Sequence, residues 1–395
     1  MKYDFDKIVD RHGTDCYKWD MIAKRKLPAD TLPLWVADMD FETVPEVKER
    51  LKEVADRGIY GYSMLGDGYY HALKNWFSER FGWQVEKDWV IVTPGVVFAL
   101  AAAVRAYTKE GDSVMIQRPV YHPFTNVVKE NGRNLVNNPL VLENGKYHMD
   151  YEDMERKITE EQVKLFLLCS PHNPVSRVWT KEELCQAAEI CKKHGVIMIV
   201  DEIHCDFVYE GYHHTSFGTL SEYADNAVIC TAPSKTFNLA GMKTSNIVIH
   251  NKDLQKKWKD YVNGSLSMDG ASALGMTAMI AAYTEGEEWL EQLKDYLDGN
   301  FAYIDEYLKK YLPKAHLVKA EGTYLAWLDL NGYVDRDEKK LEELMQKKAK
   351  VALDEGYIFG EEGRGFERIN VASPRSVIEE CMNRIRTAFE EEKLV

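Results

Sequence analysis

The sequence predicts an α/β protein, with a mostly parallel sheet sandwiched by helices and a smaller α+β domain beside it. Three observations lead to this class. Short apolar runs of strand length alternate with helical patterns through the first two thirds of the chain, which is the pattern of βαβ units. The runs are continuously rich in Val, Ile and Leu, as expected for strands that are buried on both faces. The chain has 395 residues, of which 45% are hydrophobic, and this is enough for a large core and two domains.

The strands of the predicted sheet are short apolar runs in the first part of the chain. They cover 90–93, 114–117, 164–169, 196–200, 227–230 and 247–249. A long helical stripe begins at Glu287 and ends at Pro313, and two further strands, 324–330 and 368–372, precede a final helical stripe from Ile378 to Phe389. We therefore predict a large domain over 45–285, and a small domain built from 1–44 together with 286–395.

Composition excludes several classes of function. The net charge of −14 disfavours nucleic acids and anionic membrane surfaces as main partners, because both attract basic proteins. No apolar stretch reaches the length of a membrane span, and the charged N-terminus lacks the apolar core of a signal peptide. The seven cysteines form no Cys-x-x-Cys pair, and the histidines are not at metal-ligand spacing. We therefore expect reduced thiols, a cytoplasmic protein and no metal site.

The most informative segment is 231–241, with the sequence Thr-Ala-Pro-Ser-Lys-Thr-Phe-Asn-Leu-Ala-Gly. It places Lys235 after the strand 227–230, among hydroxyls and small residues. Partial desolvation in such a place lowers the pKa of a lysine and suits it to form a Schiff base, and nearby Ser and Thr hydroxyls can bind a phosphate. Read alone, the segment also fits an ordinary surface lysine.

Two segments upstream of Lys235 add to this pattern. Asn173, within Ser-Pro-His-Asn-Pro, follows the apolar run 165–169, and Asp201 directly follows 196–200. Both lie at the carboxyl ends of predicted strands, where open α/β sheets bind ligands. Taken singly, Asn173 is typical of a turn, and Asp201 is compatible with a helix cap or a salt bridge.

Taken together, the three residues fit the chemistry of pyridoxal 5′-phosphate (PLP). This aldehyde needs an amine, here Lys235, and its pyridine nitrogen needs a carboxylate, here Asp201, to remain protonated as an electron sink. Asn173 would hydrogen-bond the oxygen of the 3-hydroxyl group on the ring. The ordered triple Asn173, Asp201 and Lys235 resembles the fold-type-I family of PLP enzymes, the aspartate-aminotransferase group.

A phosphate site is predicted where the strand 90–93 leads into a helical segment. Gly95, Val96 and Val97 stand at this turn, and free backbone N–H groups at a helix N-terminus bind anions. The alternative is an ordinary strand-to-helix turn. Ser234 adds a hydroxyl, and Lys243 supplies a cation where the resembled family usually has an arginine, which still suits a phosphate.

The resemblance implies further roles. Tyr121 would stack on the cofactor ring, although a buried structural tyrosine is an alternative. Arg368 would bind the substrate α-carboxylate, for which a planar guanidinium is well matched, and Ala37 and Asn173 would also contact the substrate. The catalytic residues that the resemblance implies are Lys235, Asp201 and Tyr121.

The resemblance narrows to the cystathionine β-lyase/cystalysin branch. The segments that carry it are 18–20, 32–41, 59–62, 169–174 with 177–179, 201–204 and 321–325, and the resemblance extends from about residue 4 to residue 375. His204 stands where aminotransferases commonly have a cofactor-binding tyrosine, and this replacement is typical of the β-lyase branch. Two residues depart from the branch pattern. Ser176 replaces a glycine and is expected to change only a turn, and His122 bears on side-chain preference if it lines the substrate pocket.

The branch implies a PLP-dependent C–S β-lyase that cleaves L-cystathionine, related cysteine thioethers or L-cysteine to pyruvate, ammonia and a thiol. It also implies a homodimer with shared active sites, in which Tyr62 reaches the PLP phosphate of the neighbouring subunit. The competing interpretation is an aminotransferase of class I/II, which would use the same lysine, aspartate, asparagine and arginine. A binding or regulatory protein on this fold is a third interpretation, disfavoured by the intact lysine, aspartate and phosphate cradle.

Overall fold

A computed structural model describes residues 2–268 and 272–395. Its strands fall into one large sheet, one smaller sheet and two short pairs. In chain order they are β1 (Leu32–Pro33), β2 (Val90–Thr93), β3 (Ser113–Ile116), β4 (Asn134–Asn137), β5 (Val141–Glu143), β6 (Lys146–His148), β7 (Val163–Cys169), β8 (Ile197–Asp201), β9 (Ala227–Thr231), β10 (Ser245–Val248), β11 (His316–Leu317), β12 (Leu325–Asp329), β13 (Val351–Ala352), β14 (Asp354–Glu355) and β15 (Phe366–Asn370).

The helices alternate with the strands of the large sheet and then dominate the C-terminal part. In chain order they are α1 (Tyr17–Lys24), α2 (Pro45–Arg57), α3 (Asp67–Phe81), α4 (Val96–Tyr107), α5 (Pro123–Lys129), α6 (Tyr151–Glu160), α7 (Lys181–His194), α8 (Pro233–Thr236), α9 (Lys252–Lys259), α10 (Ala273–Glu285), α11 (Glu287–Tyr311), α12 (Asn331–Val334), α13 (Glu338–Glu343) and α14 (Arg375–Glu391). Helices α9 and α13 continue as π-helical turns over Asp260–Ser265 and Leu344–Ala349.

The large sheet has seven strands in the order β2-β10-β9-β8-β7-β3-β4. Neighbouring strands are parallel except at β10, which is antiparallel to both β2 and β9. The predicted mostly parallel sheet is therefore confirmed. Strand β4 was not predicted, because its sequence Asn-Leu-Val-Asn has polar ends and lies at the sheet edge, where only Val136 is buried.

The central strands of this sheet are covered by apolar layers on both faces. Residues of β8 and β9 alternate between two hydrophobic clusters: Val200 and Ile229 belong to one, and Ile199 and Val228 to the other. Helix α7, which crosses from β7 to β8, begins with a capping box between Thr180 and Glu183. The sheet is thus held rigidly between two packed layers, and the loops at its carboxyl edge are anchored to it.

The smaller sheet has the order β11-β12-β15-β14, with antiparallel pairing throughout. Helix α11 lies along the chain between the two sheets, its apolar stripe is buried, and it ends just before Pro313, as predicted. Strand β1 pairs in parallel with β13, which attaches the N-terminal segment to the C-terminal part of the chain. The large sheet lies within 45–285 and the smaller one within 286–395, and the division into domains at these bounds stays a prediction.

Two further properties concern what the described residues lack. Across 2–268 and 272–395, no helix combines the length and apolarity that crossing a bilayer requires. The same part of the chain holds no group of three or more His, Cys, Asp or Glu side chains arranged to bind a metal ion.

Candidate active site

A cavity of about 500 Å³ lies at the carboxyl edge of the seven-stranded sheet. The strands β2, β7, β8 and β9 all run toward this edge, so the residues that follow them meet there. Eleven of the residues predicted from the sequence line the cavity: Ala37, Gly95, Val96, Val97, Tyr121, Asn173, Asp201, His204, Ser234, Lys235 and Lys243. Arg368 and Tyr62 do not line it.

Lys235 lies on the short helix α8, which begins with Pro233 two residues after β9 ends. Its Nζ donates a hydrogen bond to the backbone oxygen of Ala37 at 2.6 Å. Burial, together with the positive charge of Arg368, lowers the pKa of Lys235 to about 8, against the opposing effect of the Asp38 and Asp201 carboxylates. An amine with this pKa is partly neutral near physiological pH, as a nucleophile or a general base must be.

Asp201 is the last residue of β8 and is buried. Its Oδ1 accepts a hydrogen bond from the backbone N–H of Ile203 at 3.1 Å. Burial raises the pKa of Asp201 to about 7, although the nearby Lys235 opposes the rise. Within the described residues no lysine or arginine forms an ion pair with this carboxylate, so a cationic group placed in the cavity would stabilise its ionised form.

His204 follows Asp201 at the start of the next loop and is buried. Its ring lies edge-on to Tyr324, with the ring centroids 5.6 Å apart. Burial lowers the pKa of His204 well below its ordinary value, and the positive charges of Lys235 and Arg368 act in the same direction. The imidazole is therefore neutral, and in the described residues its Nδ1 has no hydrogen-bond partner.

Asn173 connects the cavity to the smaller sheet. It lies in the turn after β7, and its backbone oxygen accepts a hydrogen bond from the backbone N–H of Tyr121 at 3.0 Å. Its side-chain Oδ1 accepts a hydrogen bond at 3.0 Å from Arg368, which lies on β15. Arg368 thus lies beside the cavity and contacts Asn173, which lines it, but does not line the cavity itself. Burial raises the pKa of the Tyr121 hydroxyl, which keeps that group neutral.

The opposite end of the site suits an anion. Gly95, Val96 and Val97 form the start of the twelve-residue helix α4, whose first N–H groups have no partner within the helix. Ser234 and Lys243 line the same cavity, and Lys243 is exposed. A helix N-terminus, a hydroxyl and a cation are together suited to a phosphate group.

Tyr62 lies elsewhere on the surface and is fully exposed. It lines a neighbouring cleft of about 620 Å³, which shares Pro94 and Lys243 with the active-site cavity. The Tyr62 side chain is therefore close to the end of the active-site cavity where the phosphate is predicted, but it lines the neighbouring cleft and not the cavity itself.

Sequence reasoning missed two groups that shape the site. Asp354 is buried on β14 and forms an ion pair with Arg368, and the backbone oxygen of Trp35 accepts a second bond from that arginine at 2.8 Å. The Asp354-Glu355 pair has no apolar pattern that distinguishes it from a surface turn. The hydroxyl of Tyr324 donates to the Ala37 oxygen at 3.0 Å. In the sequence, Tyr324 stands out only as part of the segment 321–325, which carries the resemblance to the β-lyase branch.

The two residues that depart from the branch pattern behave differently. Ser176 adopts a φ of 56°, in the left-handed region that favours glycine. Its hydroxyl contacts Thr323 Oγ1 at 3.1 Å and donates to the Leu325 oxygen at 2.7 Å, so it does more than the expected change of a turn. His122 lies outside the cavity wall, beside Tyr121 and Phe359.

The donor set fits PLP. A buried carboxylate with a single backbone donor stands ready for a pyridinium nitrogen, a lysine with a lowered pKa faces the same cavity, and a helix N-terminus with a nearby lysine suits the phosphate. The fold and the site thus define a PLP-dependent enzyme.

Comparison with known proteins assigns the family. Residues 29–385 match the model for aminotransferase class I and II, and the chain belongs to this family, which is PLP-dependent. It is similar to cystathionine β-lyase PatB of Bacillus subtilis (strain 168), with 40% identity over 98% of this chain and 99% of the relative.

Solved structures give the same picture. Cystalysin from Treponema denticola, which contains a pyridoxal 5′-phosphate cofactor, is 38% identical with a TM-score of 0.95, over 99% of this chain and 100% of the other. The PLP-bound C-S lyase from Staphylococcus hominis is 34% identical with a TM-score of 0.92, over 98% of each chain. The sequence-based assignment to the C–S lyase branch is confirmed.

Proposed function

We propose that the protein is a PLP-dependent C–S β-lyase that converts L-cystathionine, a related cysteine thioether or L-cysteine to pyruvate, ammonia and a thiol. The observation that carries the proposal is the Lys235 amine, which faces the cavity with a lowered pKa. It does so in a chain that is similar over almost its whole length to a cystathionine β-lyase.

The proposed reaction needs one base and a leaving sulfur. PLP, when bound, supplies an aldehyde that joins the substrate amine and a ring that accepts the electron pair left at Cα. Lys235 takes the proton from Cα, for which a partly neutral amine is suited. The Cβ–S bond then breaks, and its electron pair leaves on sulfur as a thiolate. Addition of water to the remaining three-carbon amine yields pyruvate and ammonia.

Asp201 has the role of holding a proton on the ring nitrogen. Burial raises the pKa of this carboxyl to about 7, because its desolvation outweighs the hydrogen bond from Ile203 and the charge of Lys235. A protonated nitrogen beside it would favour the ionised carboxylate, and the carboxylate would in turn favour the protonated nitrogen. His204, neutral and with an unpartnered Nδ1, and Asn173 are the neighbours that we assign to the ring substituents.

Arg368 has the role of binding the substrate α-carboxylate. Its Nη1 is bonded to Asn173, and its Nη2 to Trp35 and Asp354, whereas its buried Nε has no partner among the described residues. A buried N–H donor without a partner is costly, so an incoming carboxylate would satisfy it. Ala37, which lines the cavity, completes the proposed substrate site.

The active form that we propose is a homodimer. An apolar run on the surface between α2 and α3 leaves Ile59, Tyr60, Tyr62 and Met64 exposed, and exposed apolar patches of this kind mark protein interfaces. The run borders the cleft that shares Pro94 and Lys243 with the active-site cavity. A second copy seated there would bring its Tyr62 to the phosphate end of this site.

We also propose that the protein works in the cytoplasm. All seven cysteines are free, and most of them are buried among apolar side chains. Unpaired, packed thiols are typical of a reducing compartment.

The test is the product formed from L-cystathionine without any keto acid. The lyase should release pyruvate, ammonia and a free thiol over many turnovers. An aminotransferase would stop after one half-reaction, with its cofactor converted to the amine form. Turnover that depends on a keto acid, with no thiol released, would establish the aminotransferase alternative, and a protein that binds PLP without either activity would establish the binding role.

A further inference from the structure

Two hydrogen-bond donors converge on the backbone oxygen of Ala37. One is Nζ of Lys235 at 2.6 Å, and the other is the hydroxyl of Tyr324 at 3.0 Å. Tyr324 is fully buried. A buried carbonyl oxygen can accept two such bonds because it has two lone pairs, and its position is then fixed from two directions.

Tyr324 is itself firmly held. Its ring lies edge-on to His204, at a centroid distance of 5.6 Å, and edge-on to Phe207 at 4.9 Å. The backbone before it is bonded to the loop after β8, since the N–H of Thr323 donates to the Phe207 oxygen at 3.0 Å. Gly322 leaves no space for a side chain there, because a Cβ would lie 2.6 Å from the same oxygen. The hydroxyl therefore has a defined position.

The segment that contains Ala37 is attached on both sides. Asn370 of β15 donates to the Val36 oxygen at 2.7 Å, and Asn238, three residues after Lys235, accepts from the N–H of Met39 at 3.0 Å. Among the described residues, Tyr324 and Lys235 are the side chains bonded to the Ala37 oxygen itself. Tyr324 is thus the group best placed to set where the free lysine amine rests.

We propose that Tyr324 is a positioning residue, whose hydroxyl fixes the Ala37 oxygen and thereby holds the free Lys235 amine where it exchanges a proton with the substrate Cα. This inference rests on the proposed PLP chemistry, but it applies to lyase and aminotransferase alike. Small displacements of a reacting group reduce the reaction rate by large factors. The Tyr324 hydroxyl can therefore affect the rate of proton transfer without contacting the substrate.

The structure offers a matched control. Tyr209 is a buried tyrosine nearby, and its hydroxyl donates to the Thr323 oxygen at 2.7 Å. Tyr209→Phe removes a buried hydroxyl from the same loop network, whereas Tyr324→Phe removes the one that reaches Ala37. Both variants retain their aromatic rings, so packing is preserved in each.

The first measurement is exchange of the Cα proton of L-alanine in D₂O, followed by NMR with PLP-loaded protein. Alanine has no leaving group on Cβ, so the exchange reports proton transfer alone. We expect Tyr324→Phe to slow the exchange by about tenfold at saturating alanine, as for loss of one strong positioning bond. Tyr209→Phe should remain within about twofold of the wild type.

The second measurement uses cofactor-free protein. Acetic anhydride should acylate Lys235 at least about threefold faster in Tyr324→Phe than in the wild type, because the amine is less restrained. Peptide mass spectrometry reads the ratio, with the exposed Lys243 as internal reference. This experiment also tests the positioning role of Tyr324 if the variant fails to bind PLP.

Equal effects of the two substitutions on exchange and acylation would overturn the inference, and Tyr324 would then be a packing residue. A wild-type protein that exchanges alanine but releases no pyruvate from cystathionine would overturn the proposed function and leave the inference standing. No exchange by the wild-type protein with bound PLP would overturn both.

Discussion

The carboxyl edge of the seven-stranded sheet and the surroundings of Arg368 form the site in different ways. At the sheet edge, Asp201 and Lys235 come from residues at or just after strand ends, and each makes few bonds to neighbouring side chains. Around Arg368, one guanidinium is bonded to residues from three separate parts of the chain: Trp35, Asn173 and Asp354.

The difference corresponds to two roles: Asp201 and Lys235 would take part in the reaction, whereas Arg368 would bind the substrate. A residue at a strand end needs little support beyond the sheet itself, since the sheet is rigid. A buried arginine needs several acceptors, because an unpaired charge inside a protein is costly. Substitutions at the sheet edge should therefore affect chemistry with little loss of stability, and substitutions around Arg368 should affect both.

The largest effect is expected for Lys235→Ala. Loss of the base and of the amine for PLP should reduce pyruvate release from cystathionine at least about a thousandfold, with the free energy of unfolding almost unchanged. Borohydride reduction of the wild type should attach the pyridoxyl group to Lys235, as read by peptide mapping. Lys243→Ala is the control: it should weaken PLP binding but retain the rate at saturating cofactor. An adduct on another lysine would refute the assignment.

Asp201→Asn should reduce the rate by about ten- to a hundredfold, since a charge-assisted hydrogen bond of about 1.5–3 kcal/mol is lost. PLP content, measured by absorbance after alkaline release, should stay near one per chain because the lysine is intact. A rate within about twofold of the wild type would mean that Asp201 is structural.

Asp354→Asn should separate stability from substrate binding. Burial raises the pKa of Asp354, and the positive charge of Arg368, with which Asp354 forms an ion pair, opposes that rise. With a neutral amide, Arg368 lacks its counter-ion in the free protein, and we expect about 1–3 kcal/mol lower stability by urea unfolding. The substrate carboxylate then has no competitor, so KM should fall by about two- to fivefold. A raised KM would show that Asp354 orients Arg368 for the substrate.

The smallest effects are expected at Ser176. Ser176→Ala keeps a left-handed backbone and loses the bond to the Leu325 oxygen, which should lower the free energy of unfolding by about 1 kcal/mol or somewhat more. Ser176→Gly also loses the bond but relieves the backbone strain, so its loss should be smaller. Urea midpoints give the order, and a glycine variant less stable than the alanine variant would contradict the strain argument.

The same contrast decides what the sequence could predict. The sequence was sufficient to find Asn173, Asp201 and Lys235. Each follows a predicted strand, and residues at the carboxyl ends of parallel strands meet at one edge of the sheet, so their positions in the sequence predicted that they lie close together. Asp354 could not be found in this way, since its place beside Arg368 depends on the pairing of β14 with β15, and no periodicity in Asp354-Glu355 signals it. Tyr324 and the half-exposed strand β4 were missed for the same reason, because tertiary contacts and not local pattern define them.

The antiparallel direction of β10 has a mechanical consequence. A parallel strand after β9 would have to begin at the opposite edge of the sheet, so the chain would first have to cross the sheet. Because β10 is antiparallel to β9, the connection 232–244 stays at the edge that β9 has just reached, and it carries both Lys235 and Lys243. The amine that would join the aldehyde and the cation that would face the phosphate are therefore carried by the same connection. An insertion between Lys235 and Lys243 would change the distance between these two groups, and with it the fit of the cofactor at both ends.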